Sequence, residues 1–183
     1  MPRSTEQEFA DERAILRSKL DFHRKLARHR VSCLGDEQAK ARLVPSLTTP
    51  AGILSHLAAV ERYWFVKVFD GQPWVPPWSA DDPDADWRVG DVPVSQIVAD
   101  YADAVATANR IIAAHDLEER AKDSSRFDAG VTLRWILVHM IEETAQHNGH
   151  LDILCEQLAA VHSPVDVGLD GGRPSSTPIT TGR

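Results

Sequence analysis

The stretch HMIEETAQHNGH, His139 to His150, places three histidines and Glu143 along one side of what otherwise reads as an apolar helix. Imidazole and carboxylate are the side chains that exchange protons near neutral pH and bind divalent cations. On an α-helix each residue turns by about 100°, so His139, Glu143, His147 and His150 fall within an arc of about 80°. The stripe extends roughly 16 Å along the axis, too far for one ion to reach all four groups. Neighbours four apart can share one, and Glu143 and His147 are such a pair. His147 lies on the apolar seam itself.

A third donor comes from the segment SHLAAVERYWF, Ser55 to Phe65, where His56 sits among Ile53, Leu57 and Val60 and points toward the core. Two imidazoles and a carboxylate from two helices would make a three-ligand site that leaves one position open for water or substrate, the catalytic arrangement for zinc. Nickel or iron would suit the same donors. Taken singly, each residue has a simpler explanation. A histidine on an apolar face is often a core histidine satisfied by one hydrogen bond, and a buried carboxylate can be matched by a protonated imidazole as well as by a metal. His139, His150, Glu61 and Tyr63 are the further candidates, as pocket walls or as groups that hold the ligands. Glu61 beside Arg62 also reads as a solvated ion pair, and Tyr63 as a packing residue. His23, His29, His115 and His162 read as surface or terminal.

Four long helices must position these groups. The first spans about Glu6 to Val31 with an apolar face of Phe9, Ile15, Leu16, Leu20, Phe22 and Leu26. GDEQAKARLVPS reads as a short helix stopped by Pro45. The second long helix begins at TTPAG, with Thr49 as N-cap and Pro50 in the first turn, and ends where Gly71 can adopt a left-handed conformation. Its buried stripe is Ile53, Leu57, Val60, Trp64 and Val68. The third runs from about Val94 to His115 on Ile97, Tyr101, Val105, Ala108 and Ile112. The fourth runs from about Thr132 to Ala160 on Leu133, Leu137, Met140, Thr144, His147, Leu151, Leu154 and Leu158. Those steps of four and three mark the inward seam of a bundle. Between helices two and three lies Gln72 to Pro93, a connection rich in Pro, Trp and Asp. Connections of that length in compact domains are commonly functional or crossover elements. Trp74, Trp78 and Trp87 are expected to pin it to the bundle. The sequence therefore predicts an all-α four-helix bundle over 6–160, with a long crossover connection between helices two and three. A flexible tail is expected over 161–183, with weak alternation only around Val165 to Val167.

With 183 residues and 43% hydrophobic side chains, the chain suits one domain with its own core. A net charge of −7 argues against nucleic acid or an anionic membrane as partner. No apolar run is long enough to span a bilayer. Cys33 and Cys155 are too few for a disulfide framework and read as small buried side chains in a reducing cytoplasm. No glycine-rich phosphate loop or nucleophile elbow is present.

TTPAGIL with SHLAAVERYWF, and TLRWILVHMIEETAQHNGHLDIL (Thr132 to Leu154), resemble the DinB-like superfamily, in particular its actinobacterial mini-circle-protein branch. The resemblance covers about Glu12 to Leu158. It implies a four-helix bundle with a divalent metal on three side chains, commonly three histidines. Glu143 replaces the first histidine of the usual H-x-x-x-H pair, which is similar to the mycothiol-dependent maleylpyruvate isomerase branch and its His, Glu, His zinc set. By that likeness His56, Glu143 and His147 are the ligands and His150 their neighbour. The resemblance further implies a small thiol such as mycothiol as co-substrate and an electrophile as its acceptor, in an S-transferase or thiol-dependent isomerase. A metal-dependent hydrolase and a non-catalytic, stress-related metal-binding bundle are the alternatives, and pairing of two copies through an exposed helix face is compatible with either.

Overall fold

The computed structural model describes residues 11–123 and 130–162. Among them the architecture is all-α: α1 Glu12–Ser32, α2 Asp36–Lys40, α3 Pro50–Glu61, α4 Val94–Ala114 and α5 Leu133–His162. A π-helical segment, Arg62–Phe69, continues α3 without a break, and a single 3₁₀ turn, Ala85–Trp87, interrupts the long connection. The expected helix start at Glu6, its residue Phe9, the alternation near Val165 and the tail from residue 163 lie outside the described residues.

Local chemistry accounts for the boundaries. Thr49 caps α3, its Oγ1 accepting from the Gly52 N–H at 2.9 Å, and Pro50 occupies the first turn. The π segment ends with the Asp70 N–H donating to the Phe65 carbonyl, five residues back, at 3.0 Å. Gly71 then takes φ +65°, as expected of a glycine after a helix end. Asp11 caps α1 by accepting from the Arg13 N–H.

The seam of α5 is buried as its spacing predicts: Leu133, Leu137, Met140, Thr144, His147, Leu151, Leu154 and Leu158 all face inward. Thr144 satisfies its hydroxyl on the Met140 carbonyl at 2.7 Å, so it can occupy the seam. The stripe of α3 and the π segment is likewise buried. The inward face of α1 differs from the expectation. Leu20, Arg24, Ala27 and Val31 point in, whereas Phe22, two residues and thus about 200° from Leu20, is 59% exposed. Val105 of α4 is only partly buried. Cys33 is exposed, because it lies just past the end of α1, and Cys155 is half-buried beside the seam of α5, so neither is the buried core cysteine expected.

The apolar core falls into two clusters. One gathers Leu20, Trp64, Phe65, Phe69, Ile112, Leu137 and Met140. The other gathers Val31, Ile53, Leu57, Ile97, Tyr101, Leu151 and Leu154. Polar side chains lie between or beside them: Arg24 on α1, Glu61 at the end of α3, and Glu143, Thr144, His147 and Asn148 on α5. The candidate site lies in this middle layer.

Candidate metal centre

His56 projects from the middle of α3, and Glu143 and His147 from successive turns of α5. Their ligand atoms lie within 4.8 Å of one another. The Nε2 atoms of both His56 and His147 approach the same oxygen, Oε1 of Glu143, at 3.1 Å each. Ligand atoms about 2.1 Å from a tetrahedral zinc stand roughly 3.4 Å apart, so this spacing and this donor set fit a divalent ion. His147 is 7% exposed, and the side chains of His56 and Glu143 are 17% and 20% exposed.

The tautomer of His56 is fixed from behind. Asp86, in the 3₁₀ turn of the long connection, places Oδ2 2.6 Å from His56 Nδ1, so that ring nitrogen is the donor and Nε2 is turned to the site. A carboxylate behind a ligating imidazole orients the ring and raises its basicity. Trp87 stacks on the His56 ring, with centroids 4.4 Å apart at 16°, and its ring also meets His147 at 5.5 Å. Gly52, one turn before His56, explains the close approach of this loop. A Cβ there would stand 2.8 Å from the Trp87 carbonyl oxygen. Without a side chain at 52, the backbone of the 3₁₀ turn can lie against α3.

Electrostatics mark the same cluster. Burial disfavours a charged His56, but hydrogen bonding to Asp86 and Glu143 more than reverses this and pushes its pKa up to about 9. Hydrogen bonds from His147 and His56 hold Glu143 well below the usual carboxylate range, against the opposing effect of burial. Without a metal, the cluster is thus held together by a proton on His56 between two carboxylates.

A cavity of about 380 Å³ opens onto the cluster, lined by His56 and Glu143 at one end and by Tyr63, Trp64, Trp78 and Trp87 along its walls. Tyr63 packs against Trp78 at 5.8 Å and Trp74 at 6.4 Å, which is how the tryptophans pin the connection. His139 also faces the cavity, its ring stacked on Trp135 at 5.2 Å and edge-on to Trp64 at 4.7 Å. His150 stands outside the core, its Nδ1 3.4 Å from Nδ1 of His147. Glu61 is not part of this site. It is fully buried and both its oxygens accept from Arg24, at 2.6 Å each, so the solvated Glu61–Arg62 pair expected from the sequence is absent. Arg62 instead binds Asp100 at the surface.

Sequence reasoning missed three residues. Asp86 is one of four acids in DDPDAD, and nothing in that run distinguishes it. Arg24 was hidden because it occupies an inward position of α1 between Leu20 and Ala27. Asn148, 4% exposed, donates from Nδ2 to the His23 carbonyl at 3.0 Å and accepts from Arg30, tying α5 to α1 beside the site.

A helical bundle with two imidazoles and a carboxylate gathered at mid-height defines a class of candidate metal-site proteins. The chain belongs to the mycothiol S-transferase family, whose model it matches over residues 15–160, and through it to the DinB-like superfamily that the two motifs resemble. Among solved structures, a conserved protein from Enterococcus faecalis is similar at 14% identity, with a TM-score of 0.59 over 80% of this chain and 96% of that one. That likeness concerns the fold. No curated protein matches the sequence. No helix among the described residues is long and apolar enough to cross a membrane.

Proposed function

We propose that this protein is a metal-dependent thiol transferase in which His56, Glu143 and His147 hold a divalent ion, with zinc as the expected ion. The carrying observation is the convergence of three ligand atoms within 4.8 Å at the end of an aromatic-walled cavity. A divalent ion there would lower the pKa of a small thiol such as mycothiol and so supply a thiolate at neutral pH. The family supports the thiol, and the donor set supports the ion.

The chain's own residues do the rest. Asp86 keeps His56 in the tautomer that presents Nε2. Trp87 covers one face of that ring and limits water on that side. Oδ1 of Asp86 is buried with no hydrogen-bond partner, and Asp86 lines the cavity. Tyr63, Trp64 and Trp78 provide flat apolar surfaces for an electrophile. In the reaction the sulfur forms a bond to the electrophilic carbon, and either a leaving group departs or the adduct collapses to an isomer with the thiol regenerated. The thiol proton leaves to solvent through the open cavity.

A water-activating hydrolase needs a general base at the cluster. Of the two candidate bases, Glu61 is occupied by Arg24 and His150 does not line the cavity. The test is elemental analysis of purified protein together with bimane-conjugation assays using mycothiol, glutathione or no thiol. One ion per chain and turnover that requires a thiol support the reading. Turnover that is equally fast without any thiol would replace it with hydrolysis.

A further inference from the structure

A second cavity, of about 150 Å³, lies on the other side of the middle layer, between α1 and α4. Its walls include Lys25 and Arg28 from α1 and Tyr101, Ala102, Val105 and Asn109 from α4. Four features set it apart from an ordinary crevice.

The first is the Tyr101 hydroxyl. Tyr101 is 1% exposed, and its buried oxygen has no hydrogen-bond partner. A phenol left in that state costs about 1–3 kcal/mol relative to one that is satisfied. Burial and the neighbouring Glu61 raise its pKa, so it is a neutral O–H donor at physiological pH. The second is charge. Arg24, on the cavity floor, is committed: Nε and Nη2 to Glu61, and Nη1 to Asn109 at 2.9 Å and Asp21 at 3.3 Å. Glu61 takes most of that single positive charge, and Asp21, which also lines the cavity, shares it through one contact. Lys25 and Arg28 have no ion-pair partner among the described residues, and they leave the rim positive.

The third feature is Asn109. Its Oδ1 accepts from Arg24, which leaves its NH₂ as a donor. Apart from Asp21, whose carboxylate Arg24 holds through one oxygen, the polar groups left on the wall are donors: a phenol, an ammonium, a guanidinium and an amide. The fourth is the surface of α4 beside Tyr101 and Asn109, where Ala102 and Val105 are apolar. Donors beside a short apolar wall match an anionic head on a small apolar body. Water alone would leave the positive rim and the apolar wall without a counterpart.

We propose that this cavity binds a small organic carboxylate, with its head on Tyr101, Arg28 and Lys25 and its body against Ala102 and Val105. The site is separate from the metal centre and does not depend on it. Its occupant would contact α4 and, through Arg24 and Glu61, the C-terminal end of α3.

Sodium benzoate titrated into the full-length protein tests this, followed by amide chemical shifts, with benzamide as the neutral isostere. Saturable benzoate binding in the low-millimolar range or tighter is expected, with shifts at Asp21–Arg28 and Tyr101–Asn109, and at least tenfold weaker binding of benzamide. Tyr101→Phe preserves the ring and its packing and should weaken benzoate about tenfold. Arg28→Ala, at an exposed position, should do the same. His147→Ala should leave benzoate affinity unchanged. Equal binding of benzoate and benzamide would overturn the proposal. So would the absence of saturation, which would mean that water satisfies Tyr101, or shifts confined to the surroundings of His56 and Glu143.

Discussion

Two charged clusters share the middle layer of this bundle, and they are built on opposite principles. In the first, Glu61 and Arg24 form a closed pair. Each carboxylate oxygen receives its own N–H at 2.6 Å, and neither residue is more than 2% exposed. In the second, two imidazoles converge on one oxygen of Glu143, Asp86 keeps an unsatisfied buried oxygen, and a cavity opens alongside. The first cluster uses up its hydrogen-bonding capacity. The second keeps a buried acceptor that its own side chains do not satisfy, as a ligand-binding site would. Burial of charge therefore does not distinguish function from structure here. Surplus coordination capacity does.

The largest expected effect breaks the second cluster. Glu143→Ala combined with His147→Ala removes two of three ligands and should reduce bound metal from one ion per chain to none, read by elemental analysis, with helix content kept. Retention of the ion would move the metal elsewhere and undo the comparison. The first cluster should answer in stability instead. Arg24→Ala strands a fully buried carboxylate and should cost about 3–5 kcal/mol, read by chemical denaturation. The double change Arg24→Met, Glu61→Leu removes both charges and should recover most of that loss. Metal stoichiometry should not change in either variant if the two clusters are independent.

The chemistry of pH separates them further. In the metal-free protein His56 has its pKa raised from 6.5 to about 9, so the folded state favours the imidazolium. That contribution is fully present below pH 6.5 and is lost as pH rises through about 9, on the order of 3 kcal/mol in all. Glu143, held below its ordinary range, acts at the other end: its contribution is present above about pH 4.5 and is lost on acidification. Chelator-treated protein should therefore melt at progressively lower temperature from pH 6.5 to 9.5, and His56→Gln should flatten that slope. A bound ion replaces the His56 proton, so metal-loaded protein should lack the alkaline decline. An unchanged slope in His56→Gln would mean that the proton resides on another group.

The seam of α5 was legible from spacing, because a helix that buries Leu133, Leu137, Met140, Leu151 and Leu154 must also bury whatever stands at 144 and 147. The caps Thr49 and Gly71 were legible for the same local reason. What could not be read were the long-range partners. The spacing of α1 placed Phe22 on an inward face, yet the buried face runs through Leu20, Arg24, Ala27 and Val31, and the partner that draws Arg24 inward, Glu61, is 37 residues away. The sequence gathered His56, Glu143 and His147 by periodicity and resemblance. It gave no reason to prefer Asp86 over Asp81, Asp82 or Asp84, since irregular loops carry no period. Selection of one acid from that run rests on where a 3₁₀ turn meets α3.

That meeting point gives the next prediction. Asp86→Asn keeps the shape but removes the charge behind His56 Nδ1, and loss of such a supporting carboxylate weakens metal binding by about 10–100-fold. Competition with a chromophoric chelator measures it. If the affinity stayed within twofold of the wild type, Asp86 would belong with the closed cluster, as a group satisfied within the fold and without influence on the ion.

The smallest effect concerns how Asp86 is delivered. Gly52→Ala lies in helical conformation, where alanine is intrinsically the better residue by about 1 kcal/mol. Considered by itself, the helix should gain. The added Cβ, however, would meet the Trp87 carbonyl oxygen at 2.8 Å and Thr49 Oγ1 at 3.0 Å, and the first of these is backbone that cannot rotate away. The 3₁₀ turn must shift by a few tenths of an ångström, and the 2.6 Å contact from Asp86 to His56 with it. We expect the two terms nearly to offset in stability, leaving the melting temperature within about 3 °C of wild type. Metal affinity should nevertheless fall severalfold, because the orientation of His56 depends on that contact. Gly149→Ala is the control: it is also helical, has open space around its Cβ and should change neither quantity downward. A Gly52→Ala variant with wild-type affinity would show that the loop has slack, and that His56 is positioned by α3 alone.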